Sequence, residues 1–472
     1  MSYAPLRPEL HVTPEIGVLN APAGVLTDGH VWHMFHQFQP QLDGPSRWAH
    51  QVSSGSPYAW DICDDVLAPS GSQSRLRAGS VVAVGDKVLL FYTAVEPNGD
   101  GENCFIDLAE ISDLAETTVD VSDEASQVDQ HVSFVSRLFE DQPEMAFRSP
   151  CVVEDPHGGW NMLAVSGPVD HPQLMIACSD NAYDWQLSGP LRFEGDTGTD
   201  ADLVAPRIIR LKDEVVGDIW EVLVATIEHN GVDVSGYMVG KLDGTVFKVS
   251  KPFRRIDYGH DFTRPRNTNT IGSQLFETAV LFGSMNGVGR YDNPTTQLSM
   301  QSEGWANCLS LPRRTTLQDG TLYQTPMPGL AQAIEQSYRA HGWMGLIDLD
   351  ATTAEHTEVF RSPAASVTVD LVDAAGATAA RISHTATEVM VDRSMNPKHE
   401  GDDPAVAPLD GSSSDSLTII VDGSTVEVFA DGGVATLASR VYFNGGFQSF
   451  AVKTFGSAAV ERCYEVSPTQ DT

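Results

Sequence analysis

Hydrophobic and polar residues alternate along this chain in short bursts, and Gly and Pro break the bursts before a helical period develops. Five bursts stand out, at residues 31–38, 88–95, 160–165, 219–227 and 278–282. Tight-turn pairs precede the first four: Asp28-Gly29, Gly85-Asp86, Gly158-Gly159 and Gly217-Asp218. Period-two alternation after such a turn predicts a β-strand, and so many short strands predict an all-β chain.

The bursts repeat with company. Roughly ten to twenty residues before each one lies a segment of small residues, often with Pro, so the whole pattern reads as one repeated unit. These segments are Asn20-Ala21-Pro22, Arg77-Ala78-Gly79, Arg148-Ser149-Pro150, Val204-Ala205-Pro206 and Arg264-Pro265-Arg266. A second similarity aligns Ser54-Gly55-Ser56-Pro57-Tyr58-Ala59-Trp60 on Ser179-Asp180-Asn181-Ala182-Tyr183-Asp184-Trp185 without gaps, and predicts an equivalent edge strand in two units. Five copies of an all-β unit of about sixty residues predict a five-bladed β-propeller, with about four strands per blade around a channel. The first strand of each blade lines the channel and the third lies in the packed middle. Pro fits the inner strand where no ladder hydrogen bond is lost. Ala21, Ala78, Ser149, Val204 and Arg264 are then expected to converge on one pocket; the alternative is that they are ordinary strand starts.

Two polar stretches interrupt the pattern. Residues 117–130 read as a solvated insertion between blades, and residues 396–416 as a mobile loop. The pattern places the propeller at 1–320, a linker with a short helical segment at 321–341, and a β-sandwich at 342–472. Asp-Gly turns at Asp422-Gly423 and Asp431-Gly432 mark antiparallel hairpins in the sandwich.

Charge narrows the partners. Lys and Arg number 29 against 64 Asp and Glu, a net charge of −35. Such acidity excludes nucleic acid and anionic membrane as general-surface partners. The six cysteines are scattered with no Cys-x-x-Cys pair, so no metal and no cofactor is expected. Neither a secretory signal nor an apolar span long enough for a membrane stands in the sequence, and the expected location is the cytoplasm. Oligomeric state is not legible.

Several motifs together resemble glycoside hydrolase family 32, the invertases, levanases and inulinases. Leu19-Asn20-Ala21-Pro22-Ala23-Gly24 with His36-Gln37-Phe38-Gln39-Pro40 is similar to the family's N-D-P-N-G and Y-Q-Y-N-P pair. Phe147-Arg148-Ser149-Pro150 resembles its F-R-D-P, and Val204-Ala205-Pro206 stands where E-C-P is expected. Asp257-Tyr258-Gly259-His260-Asp261-Phe262 resembles D-Y-G-x-D-F, though Thr263 replaces the Tyr that follows. Gly304-Trp305-Ala306-Asn307 is similar to the end of the catalytic domain, and Val426-Glu427-Val428-Phe429 with Ser439-Arg440 to the last sandwich strands. The resemblance implies a five-bladed propeller followed by a β-sandwich, in agreement with the repeat count.

It also implies where the chemistry should be. Retaining fructoside hydrolysis needs two carboxyl groups roughly 5 Å apart, one a nucleophile and one an acid. The resemblance puts the nucleophile at Ala21, the acid/base at Val204 and a stabilising Asp at Ser149. None of these residues has a carboxyl group. Losing one member of such a unit costs on the order of 10⁴ to 10⁶ in rate. The chain is therefore expected to lack ordinary hydrolase activity. Asp202, of the same strand parity as Val204, is a substitute candidate, with Asp200 near it and Glu228 and Asp261 further away. The implied ligand-binding set is Asn20, Gln37, Trp48, Arg77, Arg148, Asp261, Arg264 and Arg266, with Trp48 alternatively a packing aromatic. Arginines at 77, 148, 207, 264 and 266 cluster at the inner-strand starts and point to a sugar acid or sugar phosphate as the small-molecule partner. Alternatively they form salt bridges with Asp257, Asp261, Asp200 or Asp202. Three functions remain open: a non-hydrolytic sugar binder, an enzyme such as a glycosidase, transferase or phosphorylase using relocated groups or a ligand nucleophile, and a protein-interaction scaffold.

Overall fold

The structure is a computed structural model that describes residues 6–115, 128–229, 232–272, 276–286, 293–341, 344–351, 366–409, 416–456 and 458–468. Five blades, each built on four antiparallel strands, occupy the first two thirds of the chain, and Arg192–Glu194 adds a fifth strand to blade 4, parallel to Val246–Arg255. Their inner strands are Gly17–Thr27, Arg75–Val84, Arg148–Glu154, Leu203–Lys212 and Thr263–Thr270, one for each of blades 1 to 5. The inner strands of blades 5 and 1 pair in parallel, Val25 with Thr268, where the ring closes.

The five hydrophobic bursts form the second strand of each blade, not the third. A second strand has neighbouring blades on both faces, so its alternation is submerged in burial. Met34 and Phe35, Leu89 to Phe91, and Leu163 and Leu223 are all shut off from solvent. The Ser-x-x-x-Tyr-x-Trp similarity falls on the turns between third and fourth strands of blades 1 and 3, so it marks equivalent approaches to an edge strand. Of the insertion read at 117–130, residues 117–127 lie outside the described residues. The strands on either side, Gly101–Ile111 and Val132–Leu138, pair with each other, so the insertion is within blade 2.

Thr321–Pro326 pairs with Arg313–Gln318 as the outermost strand of blade 5, so the propeller continues past residue 320. A helix at Leu330–His341, 12 residues and longer than the short segment read from the sequence, then leads to the sandwich. Two five-stranded sheets enclose a core that includes Ile347, Val369, Leu371, Ile382, Ile419, Val428 and Phe447. The stretch read as a mobile loop is built into the structure through residue 409, with 410–415 outside the described residues. Ala405–Pro408 is a strand, and Arg393 just before the loop donates to Asp261 of the propeller at 2.9 Å. Among the described residues no helix is long and apolar enough to cross a membrane.

Candidate functional site

The inner strands are interrupted at the same level in blades 2 to 5. Two residues oppose one at Ala78-Gly79, Ser149-Pro150, Ala205-Pro206 and Arg264-Pro265. Each is a β-bulge, and Pro is tolerated there because the extra residue makes no ladder bond. The residue before each Pro takes a left-handed backbone: φ is 53° at Ser149, 51° at Ala205 and 49° at Arg264. Such conformations cost about 1–3 kcal/mol and need support from their surroundings. In blade 2 Gly79 fills the place of Pro, because a Cβ there would lie 1.8 Å from the Phe91 carbonyl oxygen.

The support comes from the preceding blade. Bulge N–H groups that leave the ladder are caught by side chains across the seam: Ala78 N by Gln37 Oε1 at 3.0 Å, Ser149 N by Thr93 Oγ1 at 3.0 Å, and Arg264 N by Ser235 Oγ at 2.8 Å. A repeated bulge and a repeated inter-blade bond turn the inner strands outward at one height, and a pocket of about 340 Å³ opens there. That volume lies in the range of small-molecule sites, about 300–1,000 Å³.

Ala21, Ala78, Ser149, Val204 and Arg264 all line this pocket. So do Asn20, Gln37, Arg77, Arg148 and Arg266. Three residues of the expected set stand elsewhere. Trp48 is fully buried, gives its indole N–H to the Arg77 carbonyl at 3.0 Å and packs edge-on against Tyr92, so it is a core aromatic. Asp261 is buried between the domains, accepting from Arg393 and from the Arg440 backbone at 2.7 Å. Asp202 precedes the inner strand of blade 4, is exposed, and is not among the lining residues; Asp200 is exposed too.

The arginines have different fates. Arg264 donates to Asp233 Oδ2 at 2.7 Å and to Glu228, both in the pocket wall, and not to the carboxylates read from the sequence. Burial works against its charge, but Asp233 and Glu228 outweigh burial and hold its pKa above the ordinary value. Arg77 bridges to Glu102 at 3.1 Å. Arg148 is held by backbone carbonyls, with Gly167 O at 2.6 Å. Asp257 pairs with Arg313, away from the pocket. Of the four guanidiniums in the lining, Arg77 is thus paired with Glu102 and Arg264 with Glu228 and Asp233, while Arg266 has no described carboxylate partner.

Hydrogen-bonding capacity is left over as well. Asn20 Oδ1, Asp233 Oδ1, Arg266 Nε and Asn286 Oδ1 are buried pocket atoms with no partner among the described residues. Buried polar atoms rarely stay unpaired, so these four need water or a polar guest in the pocket to satisfy them. Sequence reasoning missed Asp233, Asn286 and Asn307, and the supporting Thr93 and Ser235. Asn307 closes the Gly304-Trp305-Ala306-Asn307 motif, which does not mark it as a site residue; Asp233, Thr93 and Ser235 reach the site by strand register, and Asn286 and Asn307 from just outside strands. Among the described residues no cluster of His, Cys, Asp or Glu is arranged to hold a metal.

The glycosyl hydrolases family 32 N-terminal domain pattern matches residues 11–326, and the C-terminal pattern matches 343–464. The chain belongs to glycosyl hydrolase family 32. Sucrose-6-phosphate hydrolase of Bacillus subtilis (strain 168) is 28% identical over 358 residues, 71% of this chain and 68% of the relative. Raffinose invertase of Escherichia coli is 25% identical over 460 residues, 92% of this chain and 89% of the relative. Among solved structures, a mutant Bombyx mori family 32 β-fructofuranosidase in complex with sucrose superposes with a TM-score of 0.71 at 20% identity, covering 96% of this chain and 94% of that one. Family 32 membership and the fold agree: a five-bladed propeller joined to a β-sandwich.

Proposed function

We propose that this family 32 protein binds a sugar in the propeller pocket, favours one carrying an acidic group, and does not cleave fructosides by the family's retaining mechanism. One observation carries the reading. Ala21, Ser149 and Val204, the positions that the resemblance assigns to carboxylates, line one pocket together with Asn20, Gln37 and Arg148, so the place is built but the acids are not there. A methyl, a hydroxymethyl and an isopropyl group supply neither the nucleophile nor the proton that the reaction needs. Positive lining charge suits a sugar phosphate or sugar acid, and the sucrose-6-phosphate hydrolases among the relatives support a phosphorylated sugar.

A relocated carboxylate pair is the second reading, because Glu228 and Asp233 line the pocket. They are directly paired across one hairpin and share Arg264, so they approach a ligand from one side. Retaining hydrolysis needs two carboxyl groups that flank the bond. Calorimetry with fructose, sucrose and sucrose 6-phosphate, beside a hydrolysis assay on the two disaccharides and inulin, tests the proposal. Binding without release of fructose is expected. Turnover at an enzyme-like rate that disappears in Glu228→Gln would replace this reading with the second.

A further inference from the structure

Directly beneath the bulges, the first residue back in register on each inner strand forms a layer under the pocket: Ser80 in blade 2, Cys151 in blade 3, Arg207 in blade 4 and Arg266 in blade 5. Two guanidiniums therefore meet a hydroxyl and a thiol in the closed part of the channel. Arg207 is 2% and Arg266 4% exposed. Arg207 donates to the carbonyls of Pro206 and Gly79, and Arg266 through Nη1 to those of Arg264 and Pro265. The Nε of each has no partner, and no described carboxylate pairs with either. Burial, and then the charge of Arg207, push the Arg266 pKa well down. Two buried guanidiniums held by carbonyl dipoles and, for Arg207, the Cys151 thiol are an unbalanced arrangement, because buried charges are ordinarily paired with an opposite charge. Arg207 is wholly inside, but Arg266 also lines the pocket, so it links this layer to whatever the pocket holds.

We propose that Arg266, backed by Arg207, seats one oxyanion at the bottom of the pocket: the phosphoryl or carboxylate group of the sugar ligand, or free phosphate in its place. The identity of the sugar rests on the function proposed above; the anion seat does not. Arg264 is excluded from this role because Asp233 and Glu228 already balance it. Arg266 is set apart by lacking any such partner. The acidic group enters first, at the floor, and the neutral hydroxyls then face Asn20 and Gln37 nearer the inner-strand starts of blade 1.

Thermal melts and calorimetry on the whole protein test this, with inorganic phosphate, fructose 6-phosphate and fructose as probes. In the unchanged protein phosphate should raise the melting temperature, and fructose 6-phosphate should bind about tenfold or more tighter than fructose. Arg266→Gln should abolish both the phosphate response and the preference for the phosphate ester. Its own melting temperature without ligand should not fall, since an unbalanced charge is removed. Arg266→Lys should keep part of the phosphate response, and Arg254→Gln, the same charge change on the outer rim, should keep all of it. A preference that survives Arg266→Gln overturns the inference, as does a melting temperature that phosphate leaves unmoved. Fructose binding with no preference for the phosphate ester sinks the anion seat and leaves the sugar reading standing. A phosphate response lost in Arg266→Gln, with no sugar bound at all, does the reverse.

Discussion

Arg264 Nε donates to Asp233 Oδ2 at 2.7 Å across the seam between blades 5 and 4, and the same guanidinium reaches Glu228. Asp233 is almost wholly buried and Arg264 is 20% exposed on its side chain. Stripping one partner from a buried ion pair costs about 3–5 kcal/mol. Here Glu228 remains, and Asn at 233 still accepts a hydrogen bond, so Asp233→Asn should lose less, about 1–3 kcal/mol. Urea unfolding checks this figure. The same substitution leaves the pocket more positive, so phosphate affinity should rise. A fall would mean that Asp233 orders Arg264 for binding.

Returning the missing acids should return chemistry. The variant Ala21→Asp, Ser149→Asp, Val204→Glu places three carboxyl groups in one pocket lining. Single replacements should stay at background on sucrose and inulin, because such groups act as a unit and each absence costs on the order of 10⁴ or more. The triple variant should release fructose measurably. If it folds with unchanged circular dichroism and still releases none, the pocket lacks more than its acids, and Arg264 and Arg266 are next to be changed.

Three histidines in blade 1 tie stability to pH. His33 Nδ1 and His50 Nε2 are 3.1 Å apart and share one proton, and His36 Nε2 accepts from Gln51 Nε2 at 3.1 Å. A second proton on either arrangement sets donor against donor. Burial lowers the pKa of His33 and His36 to about 4, and burial, then His33 and His36, push that of His50 well below its ordinary value. Folded-state values below the ordinary 6.5 mean that protonation favours the unfolded chain. Their contribution is whole above pH 6.5 and is lost as pH falls toward 4. His36 alone then accounts for about 3 kcal/mol. His11, buried between Asp422 and Glu427, runs the other way: its pKa is raised against the effect of burial, and its contribution is present below pH 6.5 and lost as pH rises. Urea melts at pH 7.5, 6.5, 5.5 and 4.5 should show stability falling across the acid steps. His36→Gln should flatten that fall; a slope equal to that of the unchanged protein would remove His36 from the account.

Strand count and convergence were legible because both rest on local pattern. A burst after a turn is a strand, and five small-residue segments at matched spacing face one channel. What lay beyond local pattern was the partner of each side chain. Trp48 sits opposite Gln37 in register, yet one is core and the other lines the pocket. An aromatic in a buried strand reads the same either way. Glu228 and Asp233 pair across the hairpin of Ile219–His229 and Val232–Asp243, and their bonds to Arg264 span 36 and 31 residues of chain. No spacing rule anticipates that meeting. Pro at the inner strands was visible, but the bulge that excuses it, and the left-handed residue before it, appeared only with the ladder register.

The joint between the domains gives a last prediction, on Arg313. It is fully buried and donates to Asp257 at 2.8 Å and to Glu427 of the sandwich at 2.7 Å, with the rings of Phe262 and Phe429 against its guanidinium. Glu427 also accepts from His11 and from Leu311 N. Burial alone would lift the Glu427 pKa, but Arg313 and then His11 bring it down to about 2; Asp257 stays raised by burial despite Arg313. Arg313→Met keeps much of the volume and leaves two carboxylates buried without their cation. The cost at neutral pH should be about 3–5 kcal/mol. Glu427, with a folded-state pKa below its ordinary 4.5, contributes stability above that pH and loses it as pH falls toward 2. In the variant both carboxyls become easier to protonate in the folded state, so they cease to oppose folding as the solution is acidified. The gap between the two proteins should therefore be widest near pH 7 and narrow toward pH 4, read by urea unfolding at each pH. A calorimetric trace of the variant should also show the two domains melting closer to independently, because Arg313 binds a propeller carboxylate and a sandwich carboxylate at once, leaving Arg393, which bridges Asp261 and Asp402, to hold the joint. A single transition with a pH-independent gap would show that other contacts, the Arg393 bridge to Asp261 and Asp402 among them, and not this ion triad, hold the two domains together.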